Sequence, residues 1–235
     1  MYNPIIAKTC NEEGKVGENL VWHYSKHKGV NIEDTRDVEE YQRKDVDFLI
    51  EGKCVEVKSD HIAYSSTYFP ERFPLGTGNL TFECATHLRK NQAMDIINSI
   101  NSLNNFSELE NFIKTCYKSS IGCNFKTQAE RLTYLFFEEE TKENRRYMLK
   151  DIVQMKNIDL YNYVSKYFKQ LRLRDVYQPE DRAYNLIFLI NISSLINEGY
   201  AKRCDKMVEY YKENYPRLFT EYFSTAEQEK YLYGE

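Results

Sequence analysis

The stretch DVDFLIEGKCVEVKSD, from Asp45 to Asp60, constrains the fold of this chain more than any other. Two short apolar runs flank Glu51-Gly52, and this spacing predicts two antiparallel strands joined by a tight turn. Acids and a lysine nevertheless occupy positions inside the two strands, where β-branched and aromatic residues are favoured. One face of the hairpin must therefore hold several charges close together.

The register of this hairpin follows from its turn. Pairing outward from the turn places Asp47 opposite Glu56 and Asp45 opposite Lys58. These four residues then share one face of the hairpin. Alternation places the apolar residues on the other face, formed by Val46, Phe48, Val55 and Val57.

The charged face of the hairpin allows two interpretations. Two opposed carboxylates repel each other, and a divalent cation would remove that repulsion; Mg²⁺ binds through one or two carboxylates, several waters and phosphate oxygens. The simpler interpretation is a solvated face with one cross-strand ion pair, which contributes little to stability. The residues of the hairpin alone leave both interpretations open.

Composition excludes several classes of protein. The 235 residues are 42% hydrophobic and 29% charged, which is typical of a globular domain. The net charge of −4 means that a nucleic-acid partner would need a local basic surface. The longest apolar run, Leu186–Ile190, is too short to span a membrane, and no secretory signal is evident. Six scattered cysteines without a CxxC pair predict reduced thiols and a cytoplasmic location.

The order of helix and strand signals predicts an α/β (α+β) fold. Helical spacing marks residues 13–28, and the hairpin is followed by a third strand, NLTFECA. A helical insertion at about 87–117 precedes the strands RLTYLFFEEE and RRYMLK, separated by a turn around Thr141–Asn144. The helix LYNYVSKYFKQL, the buried strand NLIFLIN and a helical tail complete the chain. We expect a core at 1–150 and a mainly helical extension at 151–235.

The hairpin resembles the signature of the PD-(D/E)XK nuclease superfamily, which has an acid on one strand and E-x-K on the next. Upstream, GKVGENLVWHY is similar to a first helix whose inward glutamate, here Glu18, helps to hold the metal. Downstream, TGNLTFECA resembles the strand that follows E-V-K in a phage and prokaryotic group, where it leads to a glutamate, here Glu83. KTQAERLTYLF resembles a later strand region of that group. No proline precedes either aspartate, and the helical segment before Lys126 exceeds the minimal fold.

The resemblance implies a restriction-endonuclease-like mixed sheet flanked by helices, and a metal-dependent nuclease that hydrolyses DNA. Asp47 and Glu56 would bind Mg²⁺, for which Mn²⁺ could substitute, and the Val57 carbonyl would be a further ligand. Lys58 would orient the attacking water and offset charge on the phosphate. Glu18 would contact the metal directly or through water. Asp45 competes with Asp47 for the first acidic position.

A basic strip follows the strands. Residues 142–174 hold nine Lys or Arg against three acids, whereas residues 1–60 hold nine basic side chains against thirteen acids. Such a strip can bind phosphates. An amphipathic helix with solvated lysines would show the same pattern. The residues that we predict to contact nucleic acid are Lys166, Lys169, Arg172 and Arg174.

Other interpretations remain open on the sequence. A catalytically inactive nuclease-fold protein could bind nucleic acid or a protein partner, and RNA could replace DNA as the substrate. A homodimer would supply two active sites for a duplex, in phage or prokaryotic DNA processing, restriction or defence. His61 could reach the site as an auxiliary base. His23 and His27, four residues apart on a helix, could face one metal but have no third ligand, so packing is the favoured role.

Overall fold

The structure, a computed structural model, describes residues 4–61, 63–64, 77–141, 145–179 and 181–234, with side chains from Gly14 onward. Most of the segment AYSSTYFPERFPLGTG, between the hairpin and the strand NLTFECA, lies outside these residues. So does part of the turn predicted around Thr141–Asn144.

Strands and helices are interspersed along the chain. The strands that the structure describes are β1 (Ile32–Asp34), β2 (Phe48–Ile50), β3 (Lys53–Asp60), β4 (Asn79–Leu88), β5 (Arg131–Glu139), β6 (Tyr147–Lys156), β7 (Leu173–Gln178), β8 (Ala183–Asn191) and β9 (Ala201–Arg203). The α-helices in the same residues are α1 (Pro4–His27), α2 (Glu39–Gln42), α3 (Lys90–Ser99), α4 (Phe106–Cys116), α5 (Cys123–Lys126), α6 (Asn157–Tyr167), α7 (Ile192–Asn197), α8 (Asp205–Asn214) and α9 (Thr225–Tyr233). Short 3₁₀ turns lie at Lys118–Ser120 and Pro216–Phe219.

The larger sheet is mixed, with strand order β1-β2-β3-β5-β6-β9 across the described residues. Strands β1, β2 and β3 are antiparallel neighbours, whereas β3 and β5 run parallel, with Val55 paired to Arg131. Strand β6 pairs antiparallel with β5, and β9 pairs antiparallel with β6. The predicted class, a mixed α/β fold with a mixed sheet flanked by helices, is confirmed.

Helix α1 packs closely against β3. Its buried stripe includes Val16 and Leu20, and it meets the buried Val57 of β3. Gly17 permits the contact, because a Cβ added there would lie 2.5 Å from Ser59 Oγ. The close approach fixes the position of the next helical residue, Glu18, relative to the hairpin.

The smaller sheet has strand order β4-β8-β7 among the described residues. Strand β8 contains NLIFLIN and lies in the middle, with Leu186, Phe188 and Ile190 fully buried. The segment NLTFECA forms β4, as predicted, but β4 pairs with β8 in this smaller sheet. It does not join the sheet of the hairpin.

The chain forms two compact units that interleave along the sequence. The first comprises residues 1–78, 129–156 and 201–235, and the second comprises residues 79–128 and 157–200. One boundary between the units, after residue 156, lies near the predicted boundary at 150, but neither unit is continuous in sequence as the predicted core and extension are. The predicted helical insertion at 87–117 belongs to the second unit, and the segment 151–235, expected to be mainly helical, also contains β7, β8 and β9.

The C-terminal helices return to the first unit. Tyr211 of α8 is fully buried, and its hydroxyl donates to the Leu20 carbonyl of α1. None of the helices that the structure describes combines the length and apolar character that a membrane crossing requires.

Candidate active site

The hairpin has the predicted turn and register. Strand β2 pairs with β3 through Phe48 with Val55 and Ile50 with Lys53. The two turn residues, Glu51 and Gly52, have φ values of 52° and 72°, the left-handed conformation that a two-residue turn of this kind requires at both positions. Strand β2 begins at Phe48, so this ladder does not extend to the predicted pairing of Asp47 with Glu56.

The Asp47 carboxylate continues the hairpin ladder. The Asp47 N–H donates to the Val55 carbonyl at 2.9 Å. Two residues further along β3, the Val57 N–H donates to Asp47 Oδ2 at 2.7 Å, so the Asp47 side chain takes the place of a backbone carbonyl. Because the N–H and C=O of one strand residue point to the same side of the strand, the Val57 carbonyl faces this carboxylate edge as well. The geometry is compatible with the ligand role predicted for Val57.

Asp45 does not pair with Lys58, contrary to the register expectation. Its φ of 49° is left-handed, and its N–H donates to the Gln42 carbonyl at 3.2 Å. The next residue, Val46, bonds back to the Tyr41 carbonyl. Asp45 therefore lies in a turn before β2, whereas Asp47 contacts β3 through the Val55 carbonyl and the Val57 N–H.

Glu56 and Lys58 form an ion pair on β3. Lys58 Nζ donates to Glu56 Oε1. Glu56 is only 5% exposed, which is unusual for a carboxylate and requires such compensation. A solvated surface ion pair, the simpler of the two interpretations of this face, does not describe a glutamate buried to this degree.

Burial raises the pKa of Asp47 to about 7. The neighbouring charges of Glu18 and Glu56 raise it further, whereas the Val57 N–H and the Lys58 ammonium lower it. Asp47 is thus partly dehydrated and within electrostatic range of two other carboxylates. A cation bound there would replace the proton that the site otherwise retains near neutral pH.

Glu18 faces a cavity of about 600 Å³ that Asp47 also lines. Its Oε2 lies 3.1 Å from Arg36 Nη1. Sequence reasoning missed Arg36, which follows β1 in a polar stretch without a recognisable motif. The lining residues of the cavity are Gly14, Lys15, Glu18, Asn19, Arg36, Asp37, Gln42, Asp47 and Glu229.

The carboxylates fit a magnesium ion better than a metal held by a full protein cage. Among the described residues, no three His, Cys, Asp or Glu side chains form a ready-made metal cluster. Mg²⁺ does not require one, because it keeps several waters and uses one or two carboxylates together with substrate phosphates. Asp47 and Glu56 supply two such carboxylates.

The residues predicted to contact nucleic acid lie on the second unit. Lys166 Nζ binds Glu198 Oε2 at 3.1 Å, and Lys169 Nζ donates to the Ile100 carbonyl at 3.3 Å. Arg172 and Arg174 are exposed and form no ion pair within the described part of the chain. The basic strip is divided, since residues 145–156 belong to the first unit.

Three further residues considered in the sequence have local roles in the structure. Asp60 Oδ1 accepts the Ala63 N–H at 2.8 Å, which ties down the chain just after β3. Glu83 lies on β4 in the second unit, where it accepts from Asn185 Nδ2 at 2.9 Å. His23 contacts the hydroxyl groups of two buried or half-buried tyrosines, as the packing interpretation expects.

Comparison of the chain with models of known families, with curated proteins and with solved structures found no match.

Proposed function

We propose that this protein is a Mg²⁺-dependent nuclease with a restriction-endonuclease-like core that hydrolyses phosphodiester bonds in DNA. The observation that supports it most directly is the Val57 N–H to Asp47 Oδ2 hydrogen bond. This contact draws Asp47 onto β3, the strand that carries Glu56 and its ion-pair partner Lys58. Two carboxylates and a lysine then share one end of the hairpin.

Each residue has a role that follows from its surroundings. Asp47 and Glu56 would hold Mg²⁺, together with the Val57 carbonyl, and the ion would supply a Lewis acid that polarises the phosphate. Lys58, released from Glu56 when that carboxylate is engaged, orients a water and offsets negative charge on the phosphate. Glu18 acts on Asp47 through its charge.

The energetics of the site favour a functional role over a structural one. The raised pKa of Asp47 means that its charged form is disfavoured in the folded chain. Burying Glu56 beside it adds a further cost, which an apolar pair at the same positions would avoid. Unfavourable burial of charge is common where groups are arranged for binding or catalysis.

The exposed Arg172 and Arg174 are the contacts that we propose for substrate phosphates, since Lys166 and Lys169 are engaged locally. An isolated arginine can donate two hydrogen bonds to one phosphate. A homodimer remains our proposal for cleavage of both strands of a duplex.

Cleavage assays test this function. Circular single-stranded, supercoiled and linear duplex DNA, with an RNA of matched sequence, would be incubated with Mg²⁺, with Mn²⁺ or with EDTA. We expect metal-dependent cutting by the wild type. Glu56→Gln and Lys58→Met should each lower kcat by about a hundredfold or more, the loss seen when one charge-stabilising group is removed.

Two exposed residues of the same sheet provide matched controls. Lys53 lies on the same strand as Lys58, and Glu33 lies on β1, so the control variants are Lys53→Met and Glu33→Gln. Both should keep full activity. Equal activity of Lys58→Met and Lys53→Met would contradict the assigned site, and DNA binding without cutting by the wild type would instead support an inactive nuclease fold.

A further inference from the structure

Arg36 is anchored beside the site by its own backbone and by that of its neighbour. The Thr35 N–H donates to the Asp47 carbonyl at 3.0 Å, and Thr35 Oγ1 donates to the Val46 carbonyl at 3.1 Å. Gln42 Nε2 donates to the Arg36 carbonyl at 2.6 Å. The loop that carries Arg36 is therefore tied to the chain segment that carries Asp47.

The guanidinium of Arg36 is equally constrained. Its Nε donates to Asp34 Oδ1 at 2.9 Å, and its Nη1 donates to Glu18 Oε2 at 3.1 Å and to Asn19 Oδ1 at 3.4 Å. Its Cζ lies 5.0 Å from the centre of the Phe48 ring. Only 24% of the Arg36 side chain is exposed, so it has few alternative rotamers and holds a stable position.

The charges around Asp47 are asymmetric. Glu56 lies on β3 and is paired with Lys58, whereas Glu18 lies on α1, lines the same cavity as Asp47 and is paired with Arg36. A carboxylate flanked by two others could bridge two divalent ions, as in two-metal phosphoryl-transfer sites. Arg36 places a permanent positive charge on one of the two sides.

We propose that Arg36 limits this site to one divalent cation, because it holds Glu18 as an ion-pair partner and so prevents a second ion from binding between Glu18 and Asp47. Arg36 is a positioning residue in this scheme, and the ion that remains lies on the side of Glu56. The inference rests on the proposed function, since it concerns the same metal site.

Mn²⁺ titration of the full chain, followed by the EPR signal of the free ion and by calorimetry, tests this role without a catalytic readout. The wild type should bind one ion per chain. Arg36→Met should bind two, and Arg36→Met with Glu18→Gln should return to one. Arg36→Lys, which keeps the charge, should stay at one. The matched control is Arg43→Met, which removes an exposed arginine paired with Glu39.

A second variant keeps the test decisive if Arg36→Met does not fold. Glu18→Gln alone should still bind one Mn²⁺ per chain, because the ion on the side of Glu56 does not use Glu18 as a ligand. Loss of the bound ion, beyond the roughly 10- to 100-fold weakening that the change of an outer-shell residue causes, would make Glu18 a direct ligand and overturn the proposal.

Different results would overturn the role of Arg36 and the proposed nuclease function. Two ions bound by the wild type, or one ion bound by a folded Arg36→Met, would overturn the role of Arg36 while leaving the nuclease in place. Absence of Mn²⁺ binding in the wild type would overturn both the role of Arg36 and the proposed function.

Discussion

Replacing Asp47 by asparagine should stabilise the metal-free protein. The pKa of Asp47 is raised to about 7 in the folded chain, mainly by burial, whereas the pKa of an exposed aspartate is about 3.9. The folded state therefore retains a proton that the unfolded state has lost, and ionised Asp47 opposes folding. Asparagine removes the charge but keeps an oxygen that can accept the Val57 N–H.

The size of the effect depends on pH in a defined direction. Above pH 7 the carboxylate is charged in both states. The difference of about three units between its folded and unfolded pKa then corresponds to a gain in unfolding free energy of up to about 4 kcal/mol for Asp47→Asn. Near pH 5 the folded state is protonated, so the gain falls to about 1.5 kcal/mol. Near pH 4 it should be within about 0.5 kcal/mol of zero.

Urea unfolding in EDTA at pH 8, 5 and 4 measures this gain. Asp37→Asn is the matched control, because Asp37 lines the same cavity but is exposed. Adding Mg²⁺ should then stabilise the wild type and leave Asp47→Asn unchanged. A gain that does not rise with pH, or that Asp37→Asn reproduces, would refute the electrostatic reasoning.

Two stability predictions concern the contacts that hold α1 in place. Gly17→Ala brings a Cβ within 2.5 Å of Ser59 Oγ and should cost about 1–3 kcal/mol in unfolding free energy. Adding Ser59→Ala removes the clashing hydroxyl and should recover part of that loss. A double variant that shows the full loss would contradict the clash. Tyr211→Phe removes the hydroxyl that donates to the Leu20 carbonyl and should cost about 0.5–1.5 kcal/mol by the same measurement, because that carbonyl keeps the Tyr24 N–H of its own helix. An unchanged midpoint would contradict a stabilising role for the hydroxyl.

The hairpin could be predicted from the sequence because its determinants are local. The turn at Glu51-Gly52 and the alternation in CVEVKSD fix the register between β2 and β3 without reference to the rest of the chain. The same is true of α1, whose apolar spacing is continuous, and of β8, whose apolar run suits a central strand. Asp47, Glu56 and Lys58 are brought together by these local rules.

The features that sequence reasoning missed depend on distant contacts. Strand β4 follows the hairpin in the chain, yet it pairs with β8, about a hundred residues later, and no turn or alternation signals that partner. Arg36 enters the site because Thr35 binds the backbone of Val46 and Asp47. Asp45 leaves the ladder because of a local left-handed turn that a charged strand pattern does not reveal.

The interleaving of the two units has a consequence for the order in which the protein matures on the ribosome. Every segment of the second unit has been synthesised once residue 200 is made, whereas the first unit still lacks residues 201–235. Tyr211, the partner of the Leu20 carbonyl, lies 191 positions downstream of it, so this contact with α1 forms only after α8 emerges. Contacts this distant in sequence form slowly. The hairpin is therefore made well before its supporting helices α8 and α9, and the Asp47 site of a nascent chain stays unfinished until these helices emerge.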